Sequence, residues 1–332
     1  MPPGTPKYAS DQHKYPSGWA LDGFPPRAAQ WNTGTVTSPR FGLLLDVDGP
    51  VASPVTRSVP PGIIAHLVQL ATAGWPVIFN TGRSDDFIRT QVMEPMIAAG
   101  LPADTTLHAI CEKGAVWFSF TGAGPGEPQV DSALALPQTY ADAVRRLVAS
   151  KYRDHMFYDE TKRAMVSVEQ HVEVASADYL REQQAFDADA LALMRKFDLG
   201  VCRLDHHAPD SDDSIDYRID PTIISTDIEA LGVGKDLGAR RALSLLADAG
   251  TEAPHVWRTV GDSRTDYAMA DELHALGYDV AHVDVRPADG VPAKPYPVLT
   301  AGDRIHEDAG GAYFARWAAM AAGSAADDDG VS

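Results

Sequence analysis

The chain has 332 residues, 45% hydrophobic and 22% charged, ordinary usage for a folded protein that excludes collagenous, coiled-coil and disulfide-scaffold classes. Lys and Arg total 28 against 46 Asp and Glu, a net charge of −18 that repels phosphate backbones and anionic lipid, so nucleic acid and membrane surfaces are not expected partners. At roughly 150 residues per domain, the length predicts about two domains.

Residues 1–40 are rich in proline (Pro2, Pro3, Pro6, Pro16, Pro25, Pro26 and Pro39) and read as an irregular arm. Its aromatics, Tyr8, Tyr15, Trp19, Phe24 and Trp31, predict that part of it lies against the body. It holds no apolar segment behind a basic stretch, and no window of the chain reaches the roughly 18 apolar residues of a membrane span. Cys111 and Cys202 lack the spacing of a zinc site or a disulfide framework, so a soluble protein of the reducing cytoplasm is expected.

From Phe41 the pattern alternates. Phe41 to Leu45 is an apolar strand ending at Asp46, and Gly62 to Ala73 has helical period through Ile63, Leu67, Leu70 and Ala71. Trp75 to Phe79 is the next strand, running into Thr81-Gly82-Arg83, and Ser84-Asp85-Asp86 reads as the cap and first turn of a helix to Ala99. Residues 116–225 change rhythm, with alternating strands over Ala115–Phe120, Ala164–Glu169, Val201–Leu204 and Ile215–Ile219 and two amphipathic helices. The first rhythm then resumes, with a helix over Lys235–Ala249, a strand over His255–Val260, a helix over Arg264–Leu276 and a strand over Tyr278–Val283. These elements predict an α/β fold, a parallel-sheet core formed by 41–115 and 226–322 and interrupted by an α+β insertion over 116–225, with 323–332 a frayed tail. The sequence carries no signal of oligomeric state.

In such a sheet, ligands gather at the carboxyl ends of the strands. Asp46 and Asp48, two apart after the first strand, share a face, and a pair of carboxylates so placed suits a hard divalent cation as well as it suits an ordinary Asp-Gly turn. Asp262 and Asp266 follow a later strand on the same edge, where Ser263 could equally be a plain helix cap. Thr81 supplies a hydroxyl at a third strand end, and Lys235 opens a helix after Gly232-Val233-Gly234; taken singly, a turn residue and a surface cation are the simpler readings.

In this order the four segments resemble the haloacid dehalogenase superfamily of phosphatases and phosphomutases, over nearly all of residues 41–320. Asp46-Val47-Asp48-Gly49 matches its first pattern, Thr81 its second, Lys235 its third, and Gly261-Asp262 with Asp266 its fourth. The span from Thr81 to Lys235 is similar to the branch with a substrate-covering cap inserted between the second and third patterns, in which sugar-phosphate phosphatases dominate. Asn80-Thr81-Gly82-Arg83-Ser84 and Glu307-Asp308-Ala309-Gly310-Gly311-Ala312 are also similar to that branch, whereas Lys113 stands where Asn, and Pro50 where Thr, is more usual. The resemblance implies a Rossmann-like core and a small phosphorylated metabolite as substrate. It implies Asp46 as nucleophile, Asp48 as acid and base, and Thr81, Gly82 and Lys235 around the phosphoryl group. Mg2+ would be held by Asp46, the Asp48 carbonyl and Asp262, with Asp266 as ligand or support. A phosphomutase, or a protein that binds a phosphorylated ligand without catalysis, are the alternatives.

Other motifs point elsewhere less well. Gly234-Lys235 is followed by Asp236 and lacks the Ser or Thr of a P-loop, and Gly122 to Gly126 lacks dinucleotide-site spacing and reads as a loop of the insertion. Asp205-His206-His207 with Asp210, Asp212 and Asp213 reads as a solvated acidic loop rather than a second metal site. Lys162, Arg163, His171, Arg203 and Arg218 are polar candidates for substrate contact in the insertion.

Overall fold

The computed structural model describes residues 41–324; the proline-rich arm and most of the 323–332 tail lie outside the described residues. Its larger sheet has nine strands. A parallel run of six sits in the order Val298–Leu299, Asp279–Asp284, Val256–Gly261, Gly42–Leu45, Val77–Asn80 and Leu107–Cys111. Gly42–Leu45, Val77–Asn80 and Leu107–Cys111 are buried along their whole length, as strands covered by helices on both faces must be.

Alternate residues feed two core layers. Leu43, Leu45, Val77 and Phe79 pack with Ile63 and Leu67 of the helix Pro61–Thr72 and with Phe314 and Trp317 of the helix His306–Ala321. Leu44, Ile78, Ile110 and Trp257 pack on the opposite face with Ala239 and Leu246 of the helix Lys235–Asp248 and Met269 and Leu273 of the helix Tyr267–Ala275. Each such fully buried Leu or Phe contributes about 1.5–3 kcal/mol. Ser84 caps its helix as predicted, its hydroxyl accepting from the Phe87 N–H. That helix runs through a wide turn at Arg89–Met93 and restarts at Glu94, with Pro95 in its first turn, to end at Ala98.

The second sheet has six strands, ordered His206–Ala208, Val201–Arg203, Tyr217–Pro221, Ser225–Ala230, Val166–Gln170 and Met156–Tyr158. Helices Gln138–Leu147 and Ser176–Lys196 cover one face, where Tyr140, Val144, Phe186 and Met194 meet Val166, Val168, Ile219 and Ile228. The register puts Ser167, Glu169, Asp227, Glu229 and Arg218 on the other face, a polar surface.

The strand allocation corrects the sequence boundaries. Val116–Thr121 pairs antiparallel with Leu107–Cys111, and Gly124–Pro125 and Gln129–Val130 pair back onto it, so residues 116–130 belong to the larger sheet. The strand Ser225–Ala230, which the boundary at 225/226 divided between insertion and core, lies wholly in the second sheet. The cause is physical. An antiparallel hairpin on the edge of the larger sheet alternates buried and half-buried residues just as the strands of the second sheet do. Gly122–Gly126 is accordingly a hairpin turn of the larger sheet, not a loop of the insertion.

Cys111 and Cys202 are both free. Among the described residues no helix is long and apolar enough to cross a membrane.

Candidate active site

The first strand hands its ladder on by one residue, the Asp46 N–H donating to the Val260 carbonyl at 2.9 Å. The chain then turns tightly, with Val51 and Ala52 N–H groups both returning to the Val47 carbonyl. Gly49 occupies the left-handed region at φ +93°, and a Cβ there would lie 2.8 Å from the Asp262 Cβ, so only glycine lets this loop meet the neighbouring strand end. Behind the loop, Gly310 of the last helix lies directly against the Pro50 carbonyl, in space any side chain would fill.

Lys235 is the centre of the site. Its ammonium lies 2.6 Å from Asp46 Oδ1 and 2.8 Å from Asp266 Oδ1, and it donates to the Asn80 carbonyl at 2.7 Å. The Asn80 side chain returns a bond to the Lys235 carbonyl at 3.0 Å, fixing the helix start against the second strand. Asp266 Oδ2 receives the Asp262 and Ser263 N–H groups and the Ser263 hydroxyl, a capping box that occupies this oxygen locally and leaves Oδ1 to face Lys235. Thr81 is fully buried, and its Oγ1 accepts from the Arg83 N–H at 3.1 Å, so its own proton is what remains to be donated. Four of the predicted residues, Asp46, Thr81, Asp262 and Asp266, thus stand in the turns after neighbouring strands, and Lys235 meets Asp46 and Asp266 from the start of its helix. Asp48 stands somewhat apart, 43% exposed at its side chain and held by a forked Arg83 pair at 2.9 Å.

Electrostatics follow from crowding. Burial, then Asp266, push the Asp46 carboxyl well above its usual range, against the pull of Lys235. Burial disfavours the Lys235 ammonium, but Asp266 and Asp46 outweigh it and its pKa is raised. Burial likewise opposes ionisation of Asp266, and Lys235 with the Ser263 hydroxyl more than offsets it, so its pKa is lowered. Asp262 is pushed up to about 6 by burial and by Asp266. One ammonium thus pairs with two carboxylates while a third stands beside them, and Asp46, Asp262 and Asp266 offer oxygens within 4.8 Å of one another. An all-oxygen set with surplus negative charge fits a hard divalent cation such as Mg2+ and is poor for zinc. Among the described residues it is the one cluster of this kind, and the acidic loop forms none. There Asp210 caps its own turn through the Asp212 and Ser214 N–H groups, and His206 pairs with Arg195.

The insertion candidates separate cleanly. Lys162 donates to the Gly82 carbonyl at 2.7 Å, Arg163 forks onto Asp85 at 2.6 and 3.0 Å, and Arg218 binds Glu229. Arg203 instead binds Asp187 on the helix-covered face, and His171 binds the Arg153 carbonyl, so neither reaches the strand ends. The sequence reading missed Glu112, whose fully buried carboxylate accepts the N–H groups of Arg163, Ala164 and Met165 at 2.8–3.0 Å. Its sequence signals are its place after the third strand and its position in the family-like segment Cys111-Glu112-Lys113-Gly114-Ala115. With Thr161 on Ser84 at 2.8 Å, these bonds pin the 159–165 loop to the turn that carries Thr81.

No family model and no curated protein matches this sequence. Among solved structures, a haloacid dehalogenase-like hydrolase from Bacteroides thetaiotaomicron is similar at 14% identity over 83% of this chain and 99% of that one, with a TM-score of 0.50. A haloalkanoate-superfamily phosphatase from the same organism matches at 16% identity over 90% and 99%, TM-score 0.47. Trehalose-6-phosphate phosphatase from Aspergillus fumigatus matches at 16% over 78% and 88%, TM-score 0.41. The fold is that of the haloacid dehalogenase-like hydrolases.

Proposed function

We propose that this chain is a Mg2+-dependent phosphomonoester hydrolase that works through an aspartyl-phosphate on Asp46, with a sugar phosphate or similar small phosphorylated metabolite as substrate. The observation that carries the reading is Lys235 held 2.6 Å from Asp46 while Asp262 and Asp266 converge on the same point from the next strand end. Asp46, the Asp48 carbonyl and Asp262 would hold the cation, with Asp266, engaged by Lys235 and Ser263, as support. When bound, Mg2+ neutralises charge on the phosphoryl oxygens.

The remaining work belongs to side chains. An Asp46 oxygen attacks phosphorus, the bond to the ester oxygen breaks, and Asp48 delivers a proton to the departing alkoxide. Thr81 and the Gly82 turn donate to phosphoryl oxygens while Lys235 balances the charge gathered on them and on Asp46. Asp48 then takes a proton from water, whose oxygen attacks phosphorus and frees Asp46 with inorganic phosphate. Asp48 must exchange its Arg83 contact for the substrate, which its exposure permits.

The test is a panel of phosphorylated metabolites with Mg2+, repeated in EDTA. Phosphate release that needs the metal and disappears in Asp46→Asn is the expected result, and release that survives in Asp46→Asn sinks the proposal. Free phosphate, rather than an isomerised ester, separates hydrolysis from a mutase.

A further inference from the structure

Lys113 sits between the two sheets in a one-turn segment, Glu112–Gly114, with a left-handed backbone at φ 55°. Its backbone touches both halves of the site. The Lys113 N–H donates to the Thr81 carbonyl at 3.0 Å, and its own carbonyl accepts the Gly234 N–H, next to Lys235, at 2.8 Å. Its side chain leaves in the other direction, toward the polar face of the second sheet, where the ammonium meets Glu229 at 2.8 Å and Asp227 at 3.3 Å.

Glu229 is wholly buried, and a buried carboxylate without cations is strongly unfavourable. Two cations share its Oε1: Lys113 and, at 2.7 Å, Arg218. Arg218 also donates to the Val233 carbonyl at 3.1 Å, two residues before Lys235. Leu237, in the first turn of the same helix, packs against Gly114 so closely that a Cβ there would stand 2.8 Å away. The segment that delivers Lys235 is thus held from the larger sheet by Lys113 and from the second by Arg218, with Glu229 as the common anchor.

We propose that Lys113 is a positioning residue. Through Glu229 and Arg218 it ties the seating of the second sheet to the placement of Thr81 and Lys235, so that the phosphoryl-binding turn and the ammonium keep their spacing only while this brace is closed. Its kinetic consequence rests on the phosphatase reading; its mechanical consequence does not.

Hydrogen exchange of the metal-free full chain tests it. In Lys113→Met, amides within 79–84 and 231–238 exchange about tenfold faster than in the parent, the scale of a coupling worth about 1.4 kcal/mol, while those of the strand 256–261 stay unchanged. Lys113→Arg restores protection, and Arg145→Met, which removes surface ion pairs with Asp142 and Glu160, leaves both segments as they were. Should Lys113→Met fail to fold, Glu229→Gln opens the same two segments through the other end of the brace. Unchanged exchange at 79–84 and 231–238 in a folded Lys113→Met or Glu229→Gln chain overturns the proposal. In turnover, Lys113→Met lowers kcat about tenfold with KM within about twofold, and an equal loss in Lys113→Arg counts against it. A parent chain that releases no phosphate from any ester refutes the phosphatase reading, and the exchange result still decides the brace.

Discussion

Asp262→Asn should make the metal-free protein more stable at neutral pH while removing its response to Mg2+. The folded chain holds this carboxyl at about 6 against an ordinary value of 3.8, through burial and the nearby Asp266. Because the folded pKa is raised, the stability contributed by the protonated group is complete below about pH 4 and is lost as pH climbs through about 6. A shift of roughly two pH units at 1.36 kcal/mol each sets a ceiling near 3 kcal/mol. The side chain keeps 20% of its exposure, and local water lowers the expected penalty to about 1–2 kcal/mol. Asparagine carries no charge and escapes it. The parent regains stability from the cation, by about 2.7 kcal/mol at a hundredfold excess over Kd, and the variant regains far less. Urea unfolding near pH 5 and pH 7.5 in EDTA, and near pH 7.5 with Mg2+, reads all three effects. If the variant is no more stable than the parent near pH 7.5 in EDTA, or if Mg2+ stabilises both alike, the argument for a crowded, cation-seeking carboxylate fails.

Other changes probe neighbouring contacts. Lys235→Met strips the shared ammonium from Asp46 and Asp266, which should lower kcat about 10²–10³-fold and destabilise the metal-free chain by about 3 kcal/mol, measured by steady-state kinetics and denaturation. Gly238→Ala places a methyl on the Asn80 amide and so pries the Lys235 helix from the second strand; a loss of about 1–3 kcal/mol with reduced kcat is expected, and a neutral outcome would show that the helix can shift freely. Glu112→Ala orphans three backbone N–H groups at once, and a cost of about 2–4 kcal/mol with faster exchange across 159–165 is the expected signature.

The strand ends were legible because a parallel strand buried on both faces is an unbroken apolar run, and the first polar residue after it marks the rim. Asp46 stands out on that ground, whereas Asn80 comes before Thr81 and Arg258 and Thr259 interrupt the run before Asp262, so Thr81, Asp262 and Lys235 were legible only as a set, from the order of the four segments. The edge of the larger sheet was not legible, since the alternating pattern of Val116–Thr121 has the same period whichever sheet it joins. Nor were Glu112, Glu229 and the side-chain role of Lys113. Their meaning lies mostly in partners 51 to 116 residues away, Arg218 at 11 residues from Glu229 being the exception, and local spacing carries no trace of such pairs. Asp48 shows the limit of periodicity, which puts it on the Asp46 face but does not reveal the Arg83 that holds it.

The contact of Gly310 with the Pro50 carbonyl makes the final helix a backstop for the loop that carries Asp46 and Asp48, while the first residue of that helix, His306, stands 3.9 Å from Asp262. Under the proposed chemistry, proteolytic clipping before residue 310 would therefore register as lost turnover with Asp46, Asp48, Thr81, Lys235, Asp262 and Asp266 all still present. Even alanine at 310, whose Cβ would lie 2.0 Å from the Pro50 carbonyl oxygen, would imitate such a clip from within the intact polypeptide.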